Sequence, residues 1–178
     1  MKRIISILLL LTVFISFSPI SSAKKKVDKQ QFMKEWSNYE ATTNSVGQNG
    51  TKNLKVWGYG KKVDNAIEQA KKNAVHACLF RGVPGASNAI ATPAIFKNQG
   101  NGQVAIENFD YFYDFFEGNE EYLQFVNITT DGYPSGQDRR EVKGGYKVAI
   151  NVQVMYDNLK EKMKADGLLK SGVDKFTY

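Results

Sequence analysis

"KVWGYGKKVDNAIEQAKKNAVHACLFRG", Lys55 to Gly82, is the stretch whose reading decides the fold. It starts inside a strand, Asn53 to Gly60, in which Leu54, Val56 and Gly58 face one way and Lys55, Trp57 and Tyr59 the other. A glycine inside a strand marks a bulge or a close backbone approach, so Gly58 predicts a neighbour pressed against that side. Gly60 opens a turn. A helix follows from about Asp64 to Phe80, with Asp64 or Asn65 as N-cap and Asn65 with Glu68 as an approximate capping box. Val63, Ile67, Ala70, Ala74, Ala77 and Cys78 form one stripe, with Ala66 at its edge. Lys62, Glu68, Gln69, Lys71, Lys72 and Asn73 point outward, and Gly82 and Pro84 end the helix.

Alanine carries no chemistry. Its small side chain lets a helix axis sit close to a sheet or another helix, so the stripe predicts a packed interface. Cys78 falls on that stripe and reads as a small buried hydrophobe. His76 falls among the polar positions near the helix C-terminus. There it is expected to be a solvated side chain that compensates the helix dipole.

Downstream, Val83 to Gln103 is a long Gly, Asn, Ala and Pro-rich loop with a possible short strand at Ala94 to Lys97. "VAIENFDYFYDFFEGNEEY" then places Ile106, Phe109, Phe112 or Tyr113, and Phe116 on one helical stripe and Tyr111 with Phe115 on another. Glu107, Asp110, Asp114 and Glu117 are interspersed. A helix aromatic on two sides is either deeply buried or in contact with a partner. "EYLQFVNIT" reads as a strand, "TDGYPSGQD" as a turn-rich loop, and "EVKGGYKVAINVQVMY" as the strongest strand, with Tyr146, Val148, Ile150, Val152, Val154 and Tyr156 on one side. The two strands are expected to pair as an antiparallel hairpin. Asp157 caps a last helix with Leu159 and Met163 inward and Gly167 at its end.

Upstream, Phe32, Trp36 and Tyr39 lie at helical spacing after a plausible N-cap at Asp28, and "TNSVGQNG" reads as a linker. Residues 1–23 have the basic start, the apolar run Ile4 to Phe17, and the small residues Ser21 and Ala23 of a secretory signal peptide. The mature chain is expected to begin near Lys24, without a cysteine for lipid attachment, and to reside in the periplasm or outside the cell. No later run approaches the roughly 20 apolar residues of a membrane span.

Without the leader the chain carries 22 basic and 18 acidic residues, unevenly spread. Residues 98–138 contain 8 acids and no Lys or Arg, whereas residues 24–97 contain 13 basic and 5 acidic side chains. The predicted class is α+β: a small antiparallel or mixed sheet with the long alanine-rich helix and other helices packed on one face, in a single domain over residues 24–178.

The strand ending in Gly-x-Gly, carried by Val56, Gly58 and Gly60, leads into a helix with Ala66, Ala70, Ala74 and Ala77. With the later strand Tyr146 to Tyr156, this resembles the small bacterial envelope domains of the flagellar assembly protein T N-terminal and SIMPL types. The resemblance implies a non-enzymatic envelope protein that works by assembly or binding, and it carries over no catalytic residue.

One histidine and one cysteine cannot build a Cys/His metal cluster or a disulfide. Gly58-Tyr59-Gly60 lacks the third glycine of a dinucleotide loop and the Gly-Lys-Ser/Thr ending of a phosphate loop. No cofactor, metal or nucleic acid is expected. The candidate binding residues are Tyr111, Phe115, Trp57 and Tyr59, aromatic anchors for an envelope protein or for a second copy of the chain. The alternative is a carboxylate-dependent hydrolase acting on glycans, with acids of the aromatic segment beside Trp57 and Tyr59 as stacking platforms.

Overall fold

The computed structural model describes residues 38–48, 50–86 and 89–169. The leader and the helix expected over Phe32 and Trp36 lie outside them.

The central pair is β2 (Lys52–Gly60) and β5 (Gly145–Val154), antiparallel over their whole length, with Leu54 opposite Val152, Val56 opposite Ile150 and Gly58 opposite Val148. These inward residues are all buried. The helix α1 (Val63–His76) lies against them. A Cβ at Gly58 would sit 2.1 Å from the Ala66 carbonyl oxygen and 2.5 Å from the Ala70 backbone nitrogen. The close approach expected from Gly58 and the alanine stripe is therefore one contact: helix backbone on strand backbone, with Ala66, Ala70 and Ala74 fully buried. The helix starts one residue early. Lys62 is its N-cap, in an extended conformation and with no side-chain cap bond, so neither Asp64 nor Asn65 caps it. The strand-to-helix turn delivers Val63 straight into the core, and the Ala66 N–H bonds to the Lys62 carbonyl instead.

β1 (Ala41–Val46) pairs antiparallel with β2 on the other side, with a register shift between Thr43 and Ser45. This strand replaces the expected helix end and linker. Its inward positions are Ala41 and Thr43, too small and polar to signal a buried strand, although Thr43 is fully buried. Tyr39, expected on a helix, lies two residues before this strand instead. The far edge of β5 is shared by two short strands. β3 (Val126–Ile128) pairs with its end and β4 (Arg139–Val142) with its beginning, both antiparallel. The hairpin is thus β4–β5, turning at Lys143 and Gly144 inside the stretch read as one strand. Glu121–Phe125, expected to be strand, is a 3-10 helix that inserts Tyr122 and Phe125 into the core. The result is a curled antiparallel sheet with helices, an α+β fold.

Beyond His76, α1 widens into a π-turn over Ala77–Arg81, ended by Gly82 at φ 75°. The widened turn leaves carbonyls without helical partners. The Gly82 N–H takes that of Ala77 at 2.7 Å, and the N–H groups of Ile95 and Phe96 take those of Cys78 and Leu79, each at 2.9 Å. Ala94–Lys97 is therefore a turn locked to the helix end, not a strand.

The aromatic segment forms α2 (Asn101–Glu107), α3 (Phe109–Tyr113) and a π-turn over Asp114–Gly118. Phe109, Phe112, Phe115 and Phe116 are buried. Phe112 meets Phe80 edge-on at 4.9 Å between ring centroids. Asn108, at φ −112° and ψ 38°, breaks the helix and resets its phase, which is why Ile106 leaves the expected stripe and is 55% exposed. The last helix, α4 (Tyr156–Ala165), buries Leu159 and Met163 as expected. Its cap is Met155, with Asp157 in the first turn. No helix among the described residues is long and apolar enough to cross a membrane.

Candidate functional site

The four aromatic candidates separate onto opposite sides of the sheet. Phe115 and Tyr111 lie on the inner side with the helices, stacked on each other at 6.1 Å. Phe115 is 2% exposed and belongs to the core, so it offers no surface to a partner. Tyr111 is half-buried, and its hydroxyl donates to an Asp166 carboxylate oxygen at the end of α4. Burial and that bond raise the Tyr111 pKa. Tyr111 is thus a clamp between helices.

Trp57 and Tyr59 point the other way. Strand alternation sends them to the outer face of β2, where Tyr59 pairs with Lys147 of β5 and Lys147 in turn pairs with Arg140 of β4. Opposite Trp57 stands Ala149. Strands two apart are separated by about 9.6 Å, yet the Arg140 guanidinium lies 5.5 Å from the Trp57 ring centroid. The two side chains therefore lean toward each other over β5, and Ala149 beneath them is almost fully buried although it faces outward. The Lys147 ammonium lies 4.8 Å from the Trp57 centroid and 5.5 Å from that of Tyr59. The outer face thus carries a ladder: Arg140, Trp57, Lys147, Tyr59. Cations over aromatic faces are attracted by the ring quadrupole.

The ladder is anchored at its sides. Lys147 pairs with Glu40 at 2.6 Å, and Lys55 with Asp138 at 2.6 Å. The hydrogen bond that Lys147 donates to Glu40 raises the Lys147 pKa, so the ammonium is charged at neutral pH. Arg140 has no such anchor, and neither does Arg139, whose guanidinium lies 5.1 Å from the Tyr146 ring. Among the described residues neither arginine is in an ion pair. On the outer face the planar, permanently charged Arg140 guanidinium is thus held on an aromatic ring and open to an acidic group, whereas Arg139, in register with buried Val148, belongs to the other side of the sheet.

Sequence reasoning found Trp57 and Tyr59 and missed Lys147 and Arg140. The missing signal was register. Only the turn at Lys143 and Gly144 places Arg140 beside Lys147, and that turn was read as strand.

His76 is a further correction. It is buried, and its Nδ1 is hydrogen-bonded to the Tyr39 hydroxyl at 2.7 Å. Burial first, and the nearby Arg81 charge second, push its pKa down to about 3. Asn73 is also buried, its Nδ2 donating to the Trp57 carbonyl at 2.9 Å. The helical wheel placed both in water because it assumed one covered face, whereas the π-turn, the aromatic segment and Tyr39 surround the end of α1.

The acids proposed for glycan hydrolysis do not converge on the ladder. Asp110 and Glu117 are exposed on the helical side, and Glu117 pairs with Lys72 at 2.7 Å. Among the described residues no three His, Cys, Asp or Glu side chains are grouped to hold a metal. Comparison with protein-family models, characterised proteins and solved structures gave no match to this chain.

Proposed function

We propose that the chain is a secreted, periplasmic binding or assembly module of the bacterial envelope, and that its outer sheet face docks an acidic surface of an envelope protein or of a second copy. The observation that carries this reading is the Arg140–Trp57–Lys147–Tyr59 ladder, whose arginine is in no ion pair among the described residues. Interfaces favour rigid aromatic and arginine anchors, and here the rings already hold the cations in place before any partner arrives. The signal-peptide pattern of residues 1–23 and the likeness of the β2–α1 unit to envelope assembly domains support the setting.

The test is in-cell crosslinking in the host envelope, followed by capture of the tagged chain. The wild type is expected to yield a discrete partner or a ladder of self-crosslinked species. Arg140→Glu combined with Trp57→Ser is expected to abolish that product while the circular dichroism spectrum is retained. A clean monomer from the wild type, or an unchanged product from the variant, overturns the reading.

A further inference from the structure

On another part of the molecule, where the end of α1 meets the loop that follows it, lies an open cleft of about 600 Å³. Its apolar surface comes from the exposed Pro84, Ala91 and Pro93 over a floor of buried Val83, and its charge from Arg81 and Lys97. No acidic residue lines it. Among the described residues neither Arg81 nor Lys97 is in an ion pair. We infer that this cleft binds a small amphiphilic anion, a carboxylate at the end of an apolar body.

The walls are preformed. Val83 and Thr92 exchange two backbone hydrogen bonds, each of 2.8 Å, and both residues are 2% exposed. The Pro84 carbonyl accepts the Thr43 N–H at 3.0 Å, which ties one wall to β1. The Pro93 carbonyl accepts the Tyr156 hydroxyl at 2.9 Å, which ties the other to α4. Gly82 makes the bend between helix and wall at φ 75°, a left-handed conformation suited to glycine. Arg81 is held in place as well: its Nη1 donates to the Tyr39 carbonyl at 2.6 Å, and its guanidinium lies 4.7 Å from the Tyr39 ring. A ligand entering here orders little of the protein, so little of its binding energy is spent on organisation.

The chemistry of the lining sets the ligand class. Proline and alanine surfaces reward an apolar body, and two cations with no acid between them reward a negative head and reject a positive one. A second cleft, of about 420 Å³, beside α2 provides the contrast. It is lined by Asn98, Gln99, Gln103, Glu107 and Asn108 and by no cation, so it has no preference for an anion.

The probe is octanoate, titrated into the ¹⁵N-labelled chain from residue 24 onward and followed by amide shifts, with 1-octanol as the uncharged control. Saturable shifts at Gly82, Thr92, Ala94 and Lys97 are expected with octanoate. Binding of octanol is expected to be at least about tenfold weaker, and Lys97→Gln should weaken octanoate by about tenfold. Absence of saturable shifts overturns the proposal, as does equal binding of octanol, equal binding by Lys97→Gln, or shifts confined to β2, β4 and β5. The last outcome would place the anion on the ladder and leave the docking face standing without this cleft.

Discussion

Trp57 and Gly58 are neighbours in one strand, and their surroundings are opposite in kind. Gly58 meets helix backbone so closely that a single added carbon has nowhere to go. Trp57 lies in a layer of side chains that a substitution can rearrange: lysine, arginine and another aromatic ring, fed from two other strands. The inner face is held by exclusion of atoms, the outer by attraction between cations and rings at the surface. Packing of the first kind is costly to disturb, whereas exposed charge and ring contacts contribute little to stability each. The two faces therefore divide the work, folding on one side and recognition on the other.

Four substitutions or conditions test that division, from large effect to small. Gly58→Ala should be the most damaging. The Ala66 and Ala70 backbone atoms cannot swing aside as a side chain tip would, so a loss above about 4 kcal/mol is expected in urea unfolding. A loss under about 1 kcal/mol would show that α1 can lift off the sheet and would erase the contrast. Phe112→Ala removes a ring packed against Phe80 and Phe96 and should cost about 3–5 kcal/mol in the same assay.

Acid should act on the inner side through His76. Its folded pKa, about 3, is below the ordinary 6.5, so the unfolded chain takes up a proton that the folded chain refuses. Its contribution is fully present above pH 6.5 and is lost as pH falls toward 3, at up to about 1.4 kcal/mol per pH unit. His76→Gln should remove that slope, visible as a smaller change in urea midpoint between pH 6.5 and 5. An unchanged slope would mean that the ring is hydrated. Least costly should be Lys147→Met on the outer face, below about 1 kcal/mol, with the thermal midpoint moving only a few degrees. A larger loss would make the ladder part of the fold.

The β2–α1 unit, the long strand β5 and the last helix were legible in sequence, because each has one clean period and one covered side. Legibility failed where that assumption failed. β1 presents Ala41 and Thr43 to the core, residues that give no alternating signal. Asn73 and His76 sit on the polar side of a helix that is covered on more than one side at its end. Asn108 breaks a run that looks continuous, so Ile106 and Phe109 do not share a face. Half of the candidate site was visible, the aromatic half on β2. The cationic half was hidden because residues 139–147 form two strands that become neighbours only after the chain reverses.

Cys78 gives the molecule a built-in clock. Its thiol is fully buried, and burial pushes its pKa up to about 12. A thiol reagent added to the native protein has no other sulfhydryl to find. Labelling must wait for the packing around the π-turn Ala77–Arg81 to open, and its rate at rising reagent concentration should level off at the rate of that opening. Immediate labelling under native conditions would mean that the helix end breathes on its own. A plateau shared with global unfolding would mean that helix and sheet come apart as one body.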